Sequence, residues 1–221
     1  MFSRLNIICG HYGSGKTNLA LNMALKLSAK GKAVTIVDMD IVNPYFRTSD
    51  YIDFLKKKGI DVISPTMAGT TQDTPALSPR IMSAFADKSR TVIFDVGGDD
   101  VGATALGRFS KYFADEEYQM FFVINKFRKQ IGDVEGCKQI LAEIEYTSRL
   151  KVTAIANNSH FGEFTTASDI LESYDYALDV SRALDLPLRL NAVEEKLCKE
   201  LDGKIENIYP VEIIVKLPWA V

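Results

Sequence analysis

The feature that most constrains this chain is an eight-residue segment, Gly10–Thr17, with the sequence GHYGSGKT. It fits the pattern G-x-x-x-x-G-K-[ST], in which glycines let successive backbone N–H groups point at phosphate oxygens. The apolar run Leu5–Cys9 precedes the segment, and a helical pattern over Lys16–Lys30 follows it. The N-terminus of a helix at that point also favours an anion. The segment therefore predicts a phosphate-binding loop, or P-loop, between a strand and a helix.

Two side chains of this segment have separate predicted roles. The Lys16 ammonium can reach the β- and γ-phosphates of a nucleotide, which makes Lys16 a candidate catalytic residue as well. The Thr17 hydroxyl can ligate Mg²⁺. The predicted nucleotide-binding residues of the loop and the helix start are Gly10, His11, Tyr12, Gly13, Ser14, Gly15, Lys16, Thr17 and Asn18.

Apolar runs alternate with helical patterns along the rest of the chain. Runs that are apolar throughout are typical of strands buried on both faces, as in parallel sheets. The alternation predicts an α/β fold of three layers, a mostly parallel, doubly wound sheet flanked by helices, in one domain over residues 1–221. Ligands bind at the carboxyl ends of the strands in such sheets, so functional residues should follow the apolar runs.

Other parts of the chain give local predictions. Residues 65–79 are rich in Pro, Thr, Gly and Ser, which predicts a loop. The pattern over residues 101–113 predicts one helix. Near the end of the chain, residues 193–201 predict a helix and residues 211–215 predict a last strand.

Two acidic segments follow predicted strands. Asp38 and Asp40 lie in the sequence VDMD, at and beyond the end of the second strand. Asp95 ends the run TVIFD, and Gly98 completes the pattern D-x-x-G. Carboxylates in these positions can hold Mg²⁺, directly or through water, or orient an attacking water. The glycine can offer its N–H to a γ-phosphate and respond to its loss on hydrolysis.

Two later strands end in polar segments, Asn125–Arg128 (NKFR) and Asn157–His160 (NNSH). P-loop GTPases usually carry an Asp in an NKxD or TKxD motif there, and its carboxylate accepts hydrogen bonds from guanine. Neither segment has this Asp. Because an Asn side chain can both donate to and accept from adenine, the sequence favours ATP over GTP, with Asn125 and Asn157 as candidate base contacts.

These four motifs, GHYGSGKT, VDMD, FDVGG and IANN, occur in an order that resembles the MinD/ParA-like P-loop ATPases. That group also includes the nitrogenase iron protein and enzymes related to cobyrinic-acid synthase. The resemblance covers roughly residues 5–184. It implies a slow Mg²⁺-dependent ATPase that binds ATP or ADP, often forms a homodimer and acts as a nucleotide switch on a partner, here an unknown client protein.

The resemblance also implies roles for individual residues. Thr17 and Asp95 would serve the Mg²⁺, and Asp38 would belong to its outer shell. Asp40 would position the attacking water. Asn157 matches the asparagine that lies beside adenine in that group better than the other candidate does.

The sequence departs from the group at His11, where most members carry a second lysine that reaches the nucleotide of the partner subunit. The cysteines are far apart, which fits a reducing, cytoplasmic setting and excludes a metal held by closely spaced thiolates. The segment over residues 209–221 lacks a cationic face, so no membrane contact is expected. A formal net charge of −3 gives no reason to expect nucleic acid as a partner.

Three functions are therefore carried forward. The first is the ATPase switch. The second is an ATP-dependent ligase or kinase on a small molecule, because dethiobiotin synthetase and the cobyrinic-acid-amidating enzymes share this fold and P-loop. Its substrate pocket would be supplied by residues 65–79 and 160–166. The third is a protein that binds a nucleotide without hydrolysing it.

Overall fold

The computed structural model describes residues 2–40, 48–67, 75–98 and 100–215. The strands, in chain order, are β1 (Leu5–Cys9), β2 (Val34–Asp38), β3 (Asp61–Ile63), β4 (Thr66–Met67), β5 (Pro75–Ala76), β6 (Thr91–Asp95), β7 (Tyr118–Ile124), β8 (Ala154–Asn157), β9 (Leu188–Glu194) and β10 (Ile208–Val211). The α-helices are α1 (Lys16–Ala29), α2 (Ile52–Lys57), α3 (Ile81–Ala86), α4 (Asp100–Gly107), α5 (Ser110–Ala114), α6 (Val134–Ser148), α7 (Ala167–Leu184) and α8 (Glu195–Leu201). Short 3₁₀ helices cover Thr48–Tyr51 and Gly162–Phe164.

The main sheet has eight strands in the order β10-β9-β8-β7-β1-β6-β2-β3. Every neighbouring pair in it is parallel, so the predicted α/β fold is confirmed and the sheet is wholly rather than mostly parallel. β1 lies between β6 and β7, where the strand order reverses. Such a reversal is where α/β sheets bind ligands, and the P-loop leaves β1 at this point.

The sheet is buried on both faces, because alternate residues of its strands belong to two hydrophobic clusters. Ile7 and Phe94 lie in the cluster that includes side chains of α4, α6 and α7. Ile8 and Ile93 lie in the cluster that includes α1. This arrangement explains the continuous apolar runs in the sequence, since neither strand face is left to water.

The single helix predicted over residues 101–113 is wrong. The structure has two helices, because α4 ends at Gly107 and α5 begins at Ser110. Gly107 packs directly against α6, since a Cβ there would lie 2.7 Å from the carbonyl oxygen of Thr147. The guanidinium of Arg149, at the end of α6, donates to the Gly107 carbonyl. This contact caps the end of α4 from outside the helix.

The predicted loop over residues 65–79 contains a small antiparallel pair, in which Thr66 is opposite Ala76 and Met67 is opposite Pro75. The residues between these two strands lie outside the described part of the chain. Of the described helices, none is long and apolar enough to cross a membrane.

The end of the chain also differs from the prediction. β9 extends to Glu194, so α8 begins at Glu195, and the last strand is β10 at Ile208–Val211 rather than 211–215. The backbone after β10 makes hydrogen bonds with two side chains of α1 instead of extending the ladder. Asn22 exchanges hydrogen bonds with the backbone N–H and carbonyl of Glu212. Asn18 accepts from the N–H groups of residues 214 and 215 and donates to the Glu212 carbonyl.

Candidate nucleotide-binding site

The P-loop connects β1 to α1, and its glycines, Gly10, Gly13 and Gly15, have positive φ angles that other residues rarely adopt. Gly10 has φ +144°, and a Cβ there would lie 2.5 Å from the carbonyl oxygen of Val123 on β7. Gly15, the N-cap of α1, is left-handed with φ +85°. These positions need glycine for the turn itself, which is the physical reason for the motif spacing.

Lys16 is the buried cation of this loop, with 7% of its surface exposed. Its ammonium donates to the carbonyl oxygen of His11 at 3.0 Å, so the side chain folds back across the loop. The Ser14 N–H donates to the same carbonyl at 3.2 Å. The loop therefore closes around a positive charge at the N-terminus of α1, an arrangement that attracts an anion.

Gly98, on the segment after β6, lies directly against the P-loop. A Cβ at Gly98 would lie 2.6 Å from the N and Cα atoms of Tyr12 and 2.7 Å from the Lys16 ammonium. The structure thus brings together the two motifs that the sequence separates by about eighty residues. Only glycine fits at this contact, and a γ-phosphate contact by its N–H stays a prediction.

Asp38 and Asp95 end the neighbouring strands β2 and β6 at the same register. Both carboxylates are buried, with 1% and 2% of their surfaces exposed. Burial raises the pKa of Asp95 to about 7; the charge of Asp38 adds to the rise, while hydroxyl donation from Thr17 and Thr48 opposes it. The Thr48 hydroxyl donates to Asp95 at 2.8 Å. Two like charges are therefore held close together in a site with little water, where a cation would stabilise both.

Hydrogen-bond donors from Asp40 and Ser49, which follow β2 in the chain, hold the Asp38 carboxylate in place. It accepts from the backbone N–H of Asp40 and from the N–H of Ser49, both at 3.0 Å, and from the Ser49 hydroxyl. Burial nevertheless raises the pKa of Asp38 above its usual value. The sequence did not point to Thr48 or Ser49, because Thr48 lies 47 positions before Asp95 and Ser49 lies 11 positions after Asp38.

The residues around this pair fit a magnesium ion. Carboxylate and hydroxyl oxygens are hard ligands, and Mg²⁺ in nucleotide sites typically takes one or two carboxylates together with phosphate oxygens and water. Within the described residues there is no group of three or more His, Cys, Asp or Glu side chains that could hold a metal. The protein would thus hold Mg²⁺ with Thr17 and Asp95, with Asp38 close behind, and the nucleotide would complete the site.

Asp40 follows β2, and its carboxyl group lies beside the segment after β6. A Cβ at Gly97 would lie 3.3 Å from the carboxyl carbon of Asp40. Asp40 is therefore next to Gly97 and one residue from the glycine that contacts Lys16. Its predicted role in positioning water stays a prediction.

The two predicted base contacts are both buried; within the described residues both polar atoms of the Asn157 side chain have partners, whereas the Asn125 amide nitrogen has none. The Asn125 oxygen accepts from the Phe127 N–H at 3.0 Å, and Asn125 has no exposed surface. The Asn157 amide donates to Asn191 at 2.9 Å and to Ser173, and its oxygen accepts from the N–H and hydroxyl of Ser159. A contact between Asn157 and adenine stays a prediction, and it requires these hydrogen bonds to be broken.

Three other side chains of the same loops face the P-loop. Arg128 donates to the Gly13 carbonyl through Nε, and Asn158 donates to the Ser14 carbonyl, both at 2.8 Å. The third, His160, has its Nε2 atom 3.0 Å from the position of a Cβ at Gly15. In the sequence, the one feature that points to these three residues is that they come just after β7 and β8.

The protonation of His160 follows from its contacts. Its Nδ1 accepts from the Gly162 N–H at 3.0 Å, so Nε2 carries the proton of the neutral ring. Burial, together with the charge of Arg128, lowers the pKa of His160 to about 4, although Glu194 opposes this. Within the described residues, the Nε2–H has no hydrogen-bond acceptor. It is therefore an unused donor beside the P-loop.

Asn18, predicted to bind the nucleotide, has a different role in the structure. Both polar atoms of its side chain are bound to the backbone of residues 212–215. The reason is its place on α1, which turns this side chain toward the chain segment after β10. A contact between Asn18 and the nucleotide stays a prediction, and a contact by its side chain requires these hydrogen bonds to be broken.

His11 and Tyr12 form the outer part of the loop. Tyr12 is 55% exposed, and its carbonyl oxygen accepts from Nδ1 of His11 at 2.9 Å. A histidine cannot supply the fixed positive charge of a lysine at this position.

A cavity of about 290 Å³ shares a wall with the P-loop. It lies between the start of the loop, the segment after β6, and helices α4 and α6. Apart from backbone, its lining is mainly apolar and consists of Cys9, His11, Tyr12, Val96, Ala103, Leu106, Ile140, Glu143 and Ile144. Burial raises the pKa of the Cys9 thiol to about 12, so Cys9 contributes a neutral, unreactive wall.

Comparison with protein families identifies this site. Residues 7–161 match the model of the CobQ/CobB/MinD/ParA nucleotide binding domain. The chain belongs to this family. The match covers the P-loop, both acidic segments and the loops after β7 and β8, and it confirms the MinD/ParA-like resemblance. As a CobQ/CobB/MinD/ParA domain, the chain has a nucleotide-binding P-loop.

Solved structures of other proteins share the fold. FtsY from Thermotoga maritima has a TM-score of 0.58 at 20% identity, with 86% of this chain and 62% of that chain covered. FtsY from Mycoplasma mycoides has a TM-score of 0.61 at 17% identity, with 86% of this chain and 60% of that chain covered. FtsY from Elizabethkingia anophelis in complex with GDP has a TM-score of 0.59 at 17% identity, with 87% of this chain and 57% of that chain covered.

These likenesses show the fold alone, and the match spans less than two thirds of each FtsY chain. A comparison with curated proteins gives no match.

Proposed function

We propose that this chain is a cytoplasmic, Mg²⁺-dependent ATP-binding protein that hydrolyses ATP slowly and acts as a nucleotide switch on a client protein. The observation that carries this proposal is the contact of Gly98 with Tyr12 and Lys16. A segment that touches the P-loop lysine is placed to respond when a γ-phosphate is bound or lost.

Different residues would have different roles in hydrolysis. Lys16 and the loop N–H groups would hold the phosphates, and Thr17 and Asp95 would hold the Mg²⁺. When bound, Mg²⁺ would neutralise charge on the β- and γ-phosphates. Asp40, beside Gly97, would orient the water, and we expect Asp40→Asn to slow phosphate release without weakening ATP binding.

The polar groups at the base side support ATP over GTP. Arg128 stands at the position of the guanine-binding Asp of an NKxD motif, and it offers only donors. The carboxylate of an NKxD motif accepts from N1–H and N2–H₂ of guanine, and an arginine cannot accept these hydrogen bonds.

The test is the midpoint of thermal unfolding with Mg²⁺ and saturating ATP, ADP or GTP. Ligand at a hundred times its dissociation constant stabilises by about 2.7 kcal/mol, or roughly 5–11 °C for a domain of this size. We expect ATP to raise the midpoint and Lys16→Ala to abolish the rise. The matched control is Lys30→Ala, an exposed lysine just after α1. A larger rise with GTP would overturn the base assignment, and no rise with any nucleotide would overturn the proposed function.

The switch itself needs a second measurement. We propose that ATP favours a homodimer, in which His11 replaces the lysine that the family uses across the interface. Light scattering should give a larger mass with Mg²⁺–ATP than with Mg²⁺–ADP. Equal masses in both states would remove the dimer from the proposal.

One observation favours a second candidate function, an ATP-dependent reaction of a small molecule. The cavity beside the P-loop, at about 290 Å³, is near the lower end of the roughly 300–1,000 Å³ range of ligand pockets. It differs from the pocket predicted from residues 65–79 and 160–166. Phosphate release that rises with one metabolite, in the absence of protein partners, would support this function. Ile140→Trp, which reduces the cavity, should then abolish that rise.

A further inference from the structure

Two phenylalanines form a stacked pair at the carboxyl edge of the sheet. Phe127 follows β7 and Phe161 follows β8, and their ring centroids are 4.0 Å apart with an angle of 28° between the planes. Phe161 is 50% exposed, and neither ring belongs to the hydrophobic clusters of the described residues. The pair is therefore an aromatic surface that the core does not require.

The sequence neighbours of both rings contact the P-loop. Arg128, next to Phe127, donates to the Gly13 carbonyl at 2.8 Å. The Nε2 atom of His160, next to Phe161, lies 3.0 Å from the position of a Cβ at Gly15. The loops after β7 and β8, which carry the two rings, thus lie beside the phosphate-binding turn.

Backbone contacts hold the pair in place without a ligand. The Lys126 N–H donates to the Ser159 hydroxyl at 2.9 Å and joins the two loops. The N–H groups of the two phenylalanines are also bound, Phe127 to Asn125 at 3.0 Å and Phe161 to the Thr165 hydroxyl at 2.9 Å. A ligand that stacks here would meet a preorganised surface, which reduces the entropy cost of binding.

We propose that the Phe127–Phe161 pair is the platform on which the base of the bound nucleotide stacks, with the base on the exposed ring of Phe161. This inference rests on the proposed nucleotide binding and adds the residues that hold the base. The Asn157 side chain is bound within the protein and the Asn125 side chain has no exposed surface, whereas the Phe161 ring is 50% exposed. Every base has a π-face, so stacking provides affinity and leaves selectivity to polar groups such as Arg128.

The experiment compares two ligands that differ only in the nucleoside. Affinities for Mg²⁺–ATP and Mg²⁺–tripolyphosphate are measured by titration calorimetry for the wild type and Phe161→Ala. Because loss of one base–aromatic stack typically weakens binding about 5- to 150-fold, we expect a loss in this range for ATP. Tripolyphosphate affinity should stay within about twofold, since the P-loop is intact.

The matched control is Phe164→Ala, which removes a 79% exposed phenylalanine three residues further along the same loop. It should change neither affinity, and Phe161→Trp should restore ATP binding. An equal loss for both ligands would show a structural role for Phe161, and unchanged ATP affinity would also overturn the platform. A wild type that binds tripolyphosphate as tightly as ATP contradicts the platform alone. A wild type that binds neither contradicts the proposed function as well.

Discussion

The carboxyl edge of the sheet has two halves that use their polar groups in opposite ways. In the phosphate half, at the ends of β1, β2 and β6, charged groups are buried: Lys16 lies inside the loop, and Asp38 and Asp95 lie side by side. In the proposed base half, after β7 and β8, the asparagines are buried, and the Asn157 side chain is bound within the protein. The exposed groups there include a cation, Arg128, and an aromatic ring, Phe161.

The difference shows which features of a nucleotide require a fixed motif. A phosphate is bound by backbone N–H groups and one cation, so the loop needs glycines at set positions and a lysine at a set distance. A base can be held by stacking on any suitable ring and by any donor or acceptor of the right kind. The phosphate half is therefore recognisable in the sequence, while the base half depends on three-dimensional packing.

The largest effect is expected from Asn157→Ala in the base half. The change leaves the buried partners at Asn191, Ser173 and Ser159 without their hydrogen bonds, and such groups cost about 1–3 kcal/mol each when unpaired. We expect the free energy of unfolding, measured with urea, to fall by about 3 kcal/mol. The ratio of ATP to GTP affinity should stay the same.

Asn125→Ala is the comparison for this variant, because its side-chain oxygen accepts one hydrogen bond. Asn125→Ala should lower the free energy of unfolding by only about 1 kcal/mol. If Asn157→Ala instead changed the ratio of ATP to GTP affinity, the family-based role of Asn157 at adenine would be correct, and the two halves would be more alike than the structure indicates.

A smaller effect is expected from Gly98→Ala in the phosphate half. The new methyl group would overlap the backbone of Tyr12 and the ammonium of Lys16. Forcing a methyl group into a packed site costs about 1–3 kcal/mol, and if this cost falls on the bound state, ATP affinity should fall about 5- to 150-fold. The measurement is the dissociation constant of Mg²⁺–ATP.

The control for this variant is Gly203→Ala, at a left-handed glycine that has no atom within 4 Å of a Cβ. Gly203→Ala should lower the free energy of unfolding, because alanine is strained in a left-handed conformation, but it should leave ATP affinity unchanged. An affinity of Gly98→Ala equal to that of the wild type would show that the contact between the two motifs has no part in binding.

The smallest effect is the pH dependence produced by His160. Its pKa is lowered to about 4 in the folded protein, against about 6.5 when unfolded, so the unfolded chain binds more protons between these values. Stability from this residue is present above pH 6.5 and is lost as the pH falls toward 4. At pH 5 the loss should be about 1–2 kcal/mol.

The measurement compares urea unfolding of the wild type and His160→Gln at pH 8 and pH 5. The decrease in the free energy of unfolding from pH 8 to pH 5 should be about 1–2 kcal/mol smaller for His160→Gln than for the wild type. Equal losses in both proteins would show that His160 is not held as a buried neutral ring. The base half would then be more polar than its structure suggests.

The sequence predicted the phosphate half well because each constraint acts over a few residues. The spacing of Gly10, Gly15 and Lys16 follows from one turn and one helix start. Asp38 and Asp95 lie at strand ends, and neighbouring parallel strands bring such positions together. The support from Thr48 and Ser49 could not be predicted, because it depends on how the chain after β2 returns to the site.

The base half could not be predicted because several of its hydrogen bonds join distant residues. Two of the three partners of Asn157, Ser173 and Asn191, lie 16 and 34 positions further along the chain. The same cause explains the break after α4, where Arg149 lies 42 positions from Gly107. It also explains the backbone after β10, which binds Asn18 and Asn22. Periodicity within a segment carries no information about such partners.

The hydrogen bonds of Asn18 and Asn22 have a consequence for protein synthesis. The helix that carries Lys16 is made early, but the backbone groups that hold its asparagines come 190 to 197 residues later. A nascent chain on the ribosome would thus have the phosphate-binding turn while the helix behind it still lacked these partners. These hydrogen bonds would form only once residues 212–215, which follow β10, had left the ribosome.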